Sequence, residues 1–397
     1  ITVSVTSEKV TRVLGTEIAP EKMTEIFDRL GFESVFQDGT FAVTVPTRRM
    51  DIAIEEDLIE EVGRLYGYQH LPTTLPFGDT TPGQLTERQA KRRKIRHYLA
   101  GSGLYEAITY SLTTLEKATM YAENRQEGKP IQLPLPMSEE HTTLRVSLTP
   151  QLLDAVSYNL NRRVSDLALF EIGPVFMTDD EAMNSLPEEK ERLAAVFTGK
   201  WYSHQWQKEE KNVDFFVAKG VLEGLFNELG LEGRAKFAQT TKEGLHPGRT
   251  AAVMLDHWPI GFIGQIHPNE QKAFGLNETY VFEIDLDAIM SVQSKPLAYR
   301  TLPRFPSVSR DIALVVDEEV AADNVKTVIK QAGGSLLKEV MLFDVYQGEH
   351  LEEGKKSLAF SLNYYDPGRT LTDEEVVETH EGVLRQVEEV FGAQLRS

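Results

Sequence analysis

Four carboxylates in the stretch Val45–Pro72 are the strongest chemical signal in the sequence. Asp57, Glu60 and Glu61 are spaced i, i+3 and i+4, which places them in one sector of an α-helix. Asp51 lies just upstream, where the chain can fold back toward the same sector. Converging carboxylates repel one another, and a hard divalent cation held by oxygen ligands offsets that repulsion. The spacing therefore suggests a metal site, and Mg²⁺ is a better candidate than a soft metal.

A solvated acidic helix face is the alternative interpretation of the same pattern. Arg48, Arg49 and Arg64 are near enough in the sequence to balance the acids. Because structural charge clusters outnumber functional sites, the spacing alone favours this alternative. The helix itself is predicted by an apolar stripe that recurs at steps of four, four and three: Ile54, Leu58, Val62 and Leu65.

The composition is typical of a globular chain with more than one domain. The sequence has 397 residues, a formal charge of −19 and no cysteine. This length exceeds one ordinary core, and the lack of thiols excludes disulfides, thiolate zinc sites and a cysteine nucleophile. The acidic charge argues against unspecific polyanion binding, so nucleic acid would need a local basic patch or a partner subunit. We expect no membrane span, no signal peptide and a cytoplasmic location; the first residue, Ile1, suggests a fragment of a longer chain.

Residues 1–75 read as a small α+β domain. A strand and two helices are followed by a hairpin and then by the acidic helix; Gly15 and Gly31 end the first two helices, and Asp38-Gly39 marks the hairpin turn. Helices that precede a small hairpin resemble a winged helix. The sequence LPTTLPFGDTTPG then predicts a linker and a domain boundary.

Residues 85–298 predict a largely antiparallel sheet with a few helices packed beside it. The strand-like segments are ITYSL, LALFEIGPVF, RLAAVFTG, TAAVMLD, WPIGFIGQI and TYVFEIDLD. The sequence contains no dinucleotide fingerprint after a strand, no Walker A loop and no H-E-x-x-H zinc motif. His246 and His267 each precede a proline, and we expect them to stabilise turns rather than act as catalytic bases.

Six basic residues crowd one helical segment of this region. They suggest either a face that contacts phosphates or, the interpretation we prefer, a solvated helix whose long side chains pair with neighbouring acids. These residues are Arg88, Lys91, Arg92, Arg93, Lys94 and Arg96.

Residues 302–397 follow the order β-α-β-β-α-β, which is the ferredoxin-like arrangement. The strand KKSLAFSLNYYD alternates, and Thr372 with Glu375 forms a capping box in front of the last helix. This fold hosts many functions and does not by itself indicate an activity.

Several segments resemble the β subunits of bacterial phenylalanine–tRNA ligases. The resemblance is carried by VPTRRMDIAIEEDLIEEVGRLYGYQHLP, FEIGPVF, LHPGRTAAV, GQIHP and RFPSVSRDIALVVD, and by LFDVYQG with KKSLAFSLNYYDPGRTLTDEEV. It is colinear and extends over essentially the whole chain. It implies that the chain is the C-terminal half of such a subunit, without the N-terminal tRNA-binding and editing domains.

The resemblance also implies site residues. The family's magnesium site falls on Asp51, Asp57, Glu60 and Glu61, the same four carboxylates; Met50 stands where the family usually has proline. We expect such a site to fill poorly without the partner chain, because Mg²⁺ dehydrates reluctantly. A weaker expectation concerns anticodon contacts by aromatic and polar side chains of the last domain: Arg304, Phe305, Ser309, Arg310, Tyr364 and Arg369.

For the middle segment the resemblance implies a degenerate class II synthetase core. FEIGPVF keeps the form of a motif 2 strand, but the G-x-G-x-x-R signature of motif 3 is missing. Phenylalanine activation with ATP would then occur on an α subunit, in a heterotetramer of two α and two β chains that binds tRNA(Phe). The alternatives are a non-enzymatic RNA- or DNA-binding module and, disfavoured by the missing motif, a stand-alone ligase.

Overall fold

A computed structural model describes residues 1–75, 77–80, 82–121, 129–180, 184–293, 298–299, 302, 304–348 and 351–396. Pro76 and Thr81 of the predicted linker lie outside the described residues. The chain divides into two compact units, Ile1–Thr86 and Glu87–Ser397. No helix among the described residues is long and apolar enough to cross a membrane.

The first unit is a three-stranded sheet with three helices. Its strands lie in the order β1-β3-β2, and all neighbours are antiparallel. The elements are β1 (Thr2–Thr6), α1 (Ser7–Leu14), α2 (Pro20–Arg29), β2 (Glu33–Gln37), β3 (Thr40–Thr44) and α3 (Glu55–Tyr66), followed by a 3₁₀ turn at Tyr68–His70. The predicted order of elements is confirmed.

Apolar side chains fix the acidic helix α3 to this sheet. Leu58, Ile59 and Val62 are buried, and they pack with residues of α2 such as Phe27. The β2–β3 turn is tight because Asp38 and Gly39 both adopt positive φ, at 49° and 79°. Leu58 and Val62 of the predicted stripe thus set which way α3 faces, whereas Ile54 of that stripe precedes the helix and is 55% exposed.

The second unit begins with a large mixed domain, which we call the sheet domain (residues 87–293). Its elements are α4 (Glu87–Gly101), β4 (Tyr105–Glu106), β5 (Leu112–Thr113), α5 (Leu115–Met120), β6 (Thr143–Leu144), α6 (Thr149–Leu160), β7 (Leu167–Met177), β8 (Glu188–Thr198), β9 (Lys200–His204), β10 (Glu209–Asn212), α7 (Phe215–Glu228), β11 (Ala235–Gln239), β12 (Leu245–Leu255), β13 (Trp258–Ile266), α8 (Pro268–Phe274), β14 (Thr279–Asp285) and α9 (Leu286–Ser291).

Seven of the described strands form one sheet in the order β11-β12-β13-β14-β8-β7-β4. Neighbouring strands are antiparallel except for β4 beside β7. Successive residues of a strand point to opposite faces. Phe282 accordingly belongs to a core shared with α4 and α7, whereas Val281 belongs to a second core shared with α6. Helices therefore cover both faces of the sheet.

The C-terminal domain contains β15 (Val308–Asp317), α10 (Ala322–Ala332), β16 (Leu337–Tyr346), β17 (Lys355–Tyr364), α11 (Asp373–Phe391) and β18 (Gln394–Leu395). Its sheet has the order β16-β17-β15-β18 and packs its apolar side against α10 and α11. The predicted β-α-β-β-α-β order is confirmed. So is the capping box: the Thr372 hydroxyl accepts from Glu375 N, and the Glu375 carboxylate accepts from Thr372 N.

The start of α11 should respond to acid. Hydrogen bonds from Arg369, and then from the Thr372 backbone, lower the pKa of Glu375 from 4.5 to about 2. A depressed pKa means that this carboxylate stabilises α11 fully above its ordinary pKa and loses that effect as the pH falls toward about 2. Hydrogen exchange of the first-turn amides should therefore accelerate across this range. In Glu375→Gln the exchange, corrected for intrinsic rates, should lack this pH-dependent step; an identical step in both proteins would contradict the assignment.

Candidate functional site

Two of the four candidate carboxylates of the first unit lie against one arginine. Arg49 donates in a bidentate manner to Asp51, with Nε–Oδ1 at 3.0 Å and Nη2–Oδ2 at 2.7 Å. The same guanidinium donates to Glu61, with Nη2–Oε1 at 3.0 Å and Nη1–Oε2 at 3.3 Å. Two of the four predicted ligands thus already share one cation.

Glu61 is the buried member of the group, with 5% of its surface exposed. Arg64, one turn further along α3, also donates to its Oε2 atom, at 2.5 Å. Burial alone raises the pKa of Glu61, but the hydrogen bonds from Arg49 and Arg64 outweigh burial, and the resulting pKa lies below its usual value. The hydrogen bond from Arg49 likewise lowers the pKa of Asp51.

The other two carboxylates have different surroundings. Asp57 accepts from the backbone N–H groups of Ala53 and Ile54 through the same oxygen, Oδ2, at 2.8 and 2.9 Å. These bonds cap the start of α3 and lower the pKa of Asp57. Glu60 is exposed and makes no hydrogen bond or ion pair within the described residues.

In this arrangement the four carboxylates do not fit a magnesium cage. In the part of the chain that the structure describes, no group of three or more His, Asp or Glu side chains is placed to hold a metal ion. Asp51 and Glu61 face the Arg49 guanidinium, and Asp57 caps its own helix. The Mg²⁺ site stays a prediction.

In the sheet domain, the strand β7 that carries FEIGPVF holds a buried ion pair. Glu171 and Arg145 are each about 2% exposed, and Arg145 Nη1 lies 2.8 Å from Glu171 Oε1. Thr109 Oγ1 donates to the other carboxylate oxygen at 2.7 Å, and Arg145 Nε donates to the carbonyl of Pro174 at 2.9 Å. Both oxygens of Glu171 and the Nε and Nη1 atoms of Arg145 are engaged within the chain, and the Arg145 guanidinium is buried away from any phosphate.

The same face of the sheet is covered by α6. Glu283 on β14 is 5% exposed, and its Oε2 atom accepts four hydrogen bonds from the start of this helix. The donors are Ser147 Oγ and Thr149 Oγ1, both at 2.7 Å, and the backbone N–H groups of Leu148 and Thr149, both at 3.1 Å. The carboxylate satisfies N–H groups that a helix start leaves unpaired. It thereby holds α6 over the sheet.

The basic helix α4 is largely neutralised within the sheet domain. Five of its six basic residues form ion pairs: Arg88 with Glu191 and Asp287, Lys91 with Glu87, Arg92 with Glu191, Lys94 with Glu228 and Arg96 with Glu106. The preferred interpretation, pairing with neighbouring acids, is confirmed. The turn roles of the histidines are confirmed as well, because His246 Nδ1 accepts from Gly248 N and His267 Nδ1 accepts from Asn269 N.

The six residues predicted to contact tRNA do not converge in the C-terminal domain. Ser309 lies on the open face of the sheet, 3.2 Å from Ser361 Oγ. Tyr364 is fully buried on the helical side, and its hydroxyl is 3.1 Å from His380 Nδ1. Burial, together with the positive charge of Arg310, lowers the pKa of His380, which places Arg310 near α11. The prediction that Tyr364 stacks on a base is therefore wrong for this structure, because its ring is fully buried in the core and offers no face to a base.

The remaining three predicted residues lie near the ends of elements. Arg304 is exposed ahead of β15, and Phe305 is half-buried beside a cavity. Arg369 pairs with Glu375 through two hydrogen bonds of 2.7 and 2.6 Å, at the start of α11. Of these three, Phe305 alone lines the cavity.

This cavity contains a basic cluster that sequence reasoning missed. Its volume is about 530 Å³, and it lies where β17 ends, beside α10 and β16. Three lysines line it, and we call them the lysine cluster: Lys326, Lys330 and Lys338. Tyr365, Asn363, Glu232 and Glu339 also line the cavity. The i, i+4 spacing of Lys326 and Lys330 on α10 was a readable signal, whereas the approach of Lys338 required the fold.

The sheet domain also exposes an apolar surface, which we call the tip patch: Ile108, Tyr110, Leu135 and Met137. Their exposed fractions are 91, 78, 92 and 99%. The chain just after Tyr110 is hydrogen-bonded to the chain that follows Met137, since Arg145 N donates to the Ser111 carbonyl and Thr142 N donates to the Thr113 carbonyl. His141 packs edge to face on Tyr110 at 5.5 Å. Neighbouring exposed apolar side chains of this kind mark interaction sites.

Comparison with known proteins shows which family this chain belongs to. Residues 71–286, more than half of the chain, match the family described as phenylalanyl tRNA synthetase beta chain CLM domain. The chain belongs to the phenylalanyl-tRNA synthetase β-chain family. Residues 3–68 match the tRNA synthetase B5 domain, and residues 303–396 match the ferredoxin-fold anticodon binding domain.

Individual β-chain relatives are similar over the whole length of this chain. The phenylalanine–tRNA ligase β subunit of Bacillus cereus (strain ZK / E33L) is 55% identical over 395 residues, covering 100% of this chain and 49% of the relative. That of Geobacillus kaustophilus is 54% identical over 396 residues, with the same coverages. The chain therefore spans about half the length of the curated β chains it matches. A solved pyrrolysyl-tRNA synthetase from Desulfitobacterium hafniense shares 14% identity, with a TM-score of 0.37 over 51% of this chain and 66% of that one.

Proposed function

We propose that this chain is the non-catalytic portion of a phenylalanine–tRNA ligase β subunit. The reaction of the complete enzyme joins phenylalanine to tRNA(Phe) with cleavage of ATP to AMP and diphosphate. In this proposal a separate α chain activates phenylalanine, in a complex of two α and two β chains, and the present chain supports it and contacts tRNA. Family membership and the filled sheet face of the sheet domain are the observations that carry the proposal.

The filled face supports a scaffold role. Phosphoryl chemistry in a class II synthetase requires free guanidinium groups on an open sheet. On β7 the acid Glu171 is locked to Arg145, and α6 is fixed across the sheet by Glu283. Within the proposal the sheet domain is a class II-like core that has lost its chemistry, and the first unit is a winged-helix-like module. We expect the chain alone to form no adenylate.

The tip patch fits a partner subunit. Contact between its four exposed apolar side chains and water is unfavourable, and covering them with another protein lowers the free energy. The relatives are named as β subunits, and a β subunit implies an α chain to cover such a surface. We therefore assign the tip patch to contact with the α chain.

The lysine cluster fits the phosphates of RNA. The chain carries a net charge of −19, so RNA can be held only where positive charge is concentrated. Lys326 and Lys330 make no ion pair or hydrogen bond within the described residues, and the Lys338 ammonium meets only the carbonyl of Ser335. Phe305 and Tyr365 line the same cavity and offer rings to an unstacked base. Glu232 and Glu339 reduce the local charge but leave the lysines in excess.

Removing two of these charges should weaken tRNA binding. For Lys326→Gln/Lys330→Gln we expect about a tenfold loss of affinity for tRNA(Phe) and a salt slope shallower by about 1.5, because each phosphate contact contributes about 0.7–0.9. Filter binding or fluorescence anisotropy across a salt series measures both quantities. The matched control is Lys208→Gln/Lys211→Gln, which removes two exposed lysines of the β9–β10 hairpin and should change neither. Equal losses in the two double variants would contradict a local phosphate site.

Partner dependence separates the proposal from a simple nucleic-acid-binding module. A β-subunit portion should co-elute with its cognate α chain in size-exclusion chromatography and should prefer tRNA(Phe) to unrelated RNA. Failure to associate would contradict the partner assignment. Equal, salt-sensitive binding of unrelated RNA, tighter than the non-specific range of about 10⁻⁴–10⁻⁶ M, would favour the RNA- or DNA-binding module instead.

A further inference from the structure

The cavity of the lysine cluster is lined by charged residues from two domains. Lys326, Lys330, Lys338 and Glu339 belong to the C-terminal domain. Glu232 belongs to the sheet domain, where it follows α7. The charge of the cavity therefore depends on how close these two domains lie to each other, because one of its acids can leave without any of the three lysines.

A tight turn of the sheet domain carries Glu232. Arg234 N donates to the carbonyl of Leu231 at 3.1 Å, and Gly233 has a φ of 75°, so Glu232 is the second residue of a β-turn. Leu231 is buried in the core of the sheet domain. Arg234 donates two hydrogen bonds to Asp256, at 2.9 and 2.6 Å. Both ends of the turn are thus fixed to the sheet domain, and the Glu232 carboxylate stays with that domain.

The Glu232 carboxylate is not tied to a partner of its own. It is exposed and makes no hydrogen bond or ion pair within the described residues. Its charge therefore acts on whatever enters the cavity, which has a volume of about 530 Å³. Separations across a cavity of this size are comparable with the Debye length of about 10 Å in 0.1 M salt. Glu232 should thus repel a phosphate at the lysine cluster in dilute salt.

We propose, on the basis of the RNA site assigned above, that Glu232 couples RNA binding at the lysine cluster to the position of the C-terminal domain. Moving that domain away from the turn removes the repulsion by Glu232 and leaves all three lysines in place, so the affinity for phosphate rises. Because such coupling is reciprocal, RNA bound at the cluster favours the separated arrangement by the same factor. The sheet domain thereby restrains RNA binding until the two domains move apart.

A direct contact between Glu232 and RNA makes the opposite prediction. A glutamate can accept a hydrogen bond from the amino group of a base, and its neutralisation would then weaken RNA binding. If Glu232 instead repels phosphate, its neutralisation strengthens RNA binding. The sign of the change in affinity therefore separates the two roles.

The first test measures tRNA(Phe) binding by fluorescence anisotropy, with the 397-residue chain and its variants. Glu232→Gln should bind about three- to tenfold more tightly than the unaltered chain in about 0.05 M salt and equally in about 0.5 M salt, where the charge is screened. The matched control is Glu243→Gln, an exposed glutamate of the same domain that does not line the cavity; its affinity should be unchanged.

The possible outcomes separate this inference from the RNA site itself. Unchanged or weaker binding by Glu232→Gln, or an equal gain in Glu243→Gln, overturns the coupling. If Lys326→Gln/Lys330→Gln still weakens binding in that case, the RNA site stands without the coupling. If the lysine variant binds as tightly as the unaltered chain, the RNA site and the coupling are overturned together.

A second measurement follows the two domains directly. The chain has no cysteine, so nitroxide labels can be attached selectively at Asn227→Cys on α7 and Asn324→Cys on α10, both exposed positions. Once the labelled chain has been shown to bind tRNA(Phe) with unaltered affinity, double electron–electron resonance reports the distance between the labels. This distance should lengthen when tRNA(Phe) saturates the chain. An unchanged or shorter distance with tRNA(Phe) bound would overturn the proposal.

Discussion

Replacing Arg145 with methionine is expected to lower the free energy of unfolding of the sheet domain by about 3–5 kcal/mol. The substitution leaves Glu171, which is 2% exposed, as an uncompensated charge in the core. The Thr109 hydroxyl and backbone N–H still donate to the carboxylate, but these neutral groups cannot replace the positive charge of the guanidinium. Urea unfolding followed by tryptophan fluorescence measures the change, because all three tryptophans of the chain, Trp201, Trp206 and Trp258, lie in this domain.

Two further variants separate the buried charge from a general arginine effect. Arg145→Met/Glu171→Met removes both charges at similar volume and should recover most of the loss, because an apolar replacement of a buried pair is often neutral. Arg93→Met alters an exposed arginine of α4 and should change stability by less than about 0.5 kcal/mol. If the double variant were as unstable as Arg145→Met, the loss would come from packing and not from the unpaired carboxylate.

Introducing charge into the tip patch is expected to abolish stable association with the α chain. Met137 and Ile108 are 99 and 91% exposed, so their replacement by glutamate should leave the fold of this chain intact. Burying two carboxylates in an apolar interface costs several kcal/mol, and each 1.4 kcal/mol weakens binding about tenfold. For Ile108→Glu/Met137→Glu we expect at least about a hundredfold loss of affinity, measured by calorimetry or analytical ultracentrifugation.

A matched control tests whether the location of the charge matters. Trp206, in the turn between β9 and β10, is 90% exposed and lies outside the tip patch. Trp206→Glu introduces one such charge on the same domain and should leave association unchanged. If Trp206→Glu reduced association as strongly as the double variant, general electrostatics and not the tip patch would account for the loss.

The sequence predicted which residues of the first unit are charged neighbours, but not how they are paired. Helical spacing correctly brought Asp57, Glu60 and Glu61 onto one helix. Whether each acid is buried, capping or exposed depends on how α3 packs and on the path of the preceding loop. That loop places the N–H groups of Ala53 and Ile54 against Asp57 and the guanidinium of Arg49 between Asp51 and Glu61. Such tertiary contacts leave no trace in a spacing pattern.

In the C-terminal domain, too, local patterns predicted the elements but not the tertiary contacts. Its element order was readable because strand alternation, a capping box and short turns are local signals, and the alternating Leu358, Phe360 and Leu362 are buried as that pattern predicts. Tyr364 continues this alternation, so its burial followed from the same pattern. The lysine cluster could not be predicted from the sequence, because Lys338 on β16 comes close to Lys326 and Lys330 only when β16 lies beside α10 in the fold.

Phenylalanine-dependent exchange between ATP and pyrophosphate tests the central claim most directly. The assay is run with this chain alone, with a cognate α chain alone and with the two mixed after co-elution has been verified. We expect no exchange with this chain alone and robust exchange in the mixture, because in our proposal the filled sheet face leaves activation to the α chain. Exchange by the purified chain alone, or no exchange in a verified complex, would contradict a non-catalytic supporting role.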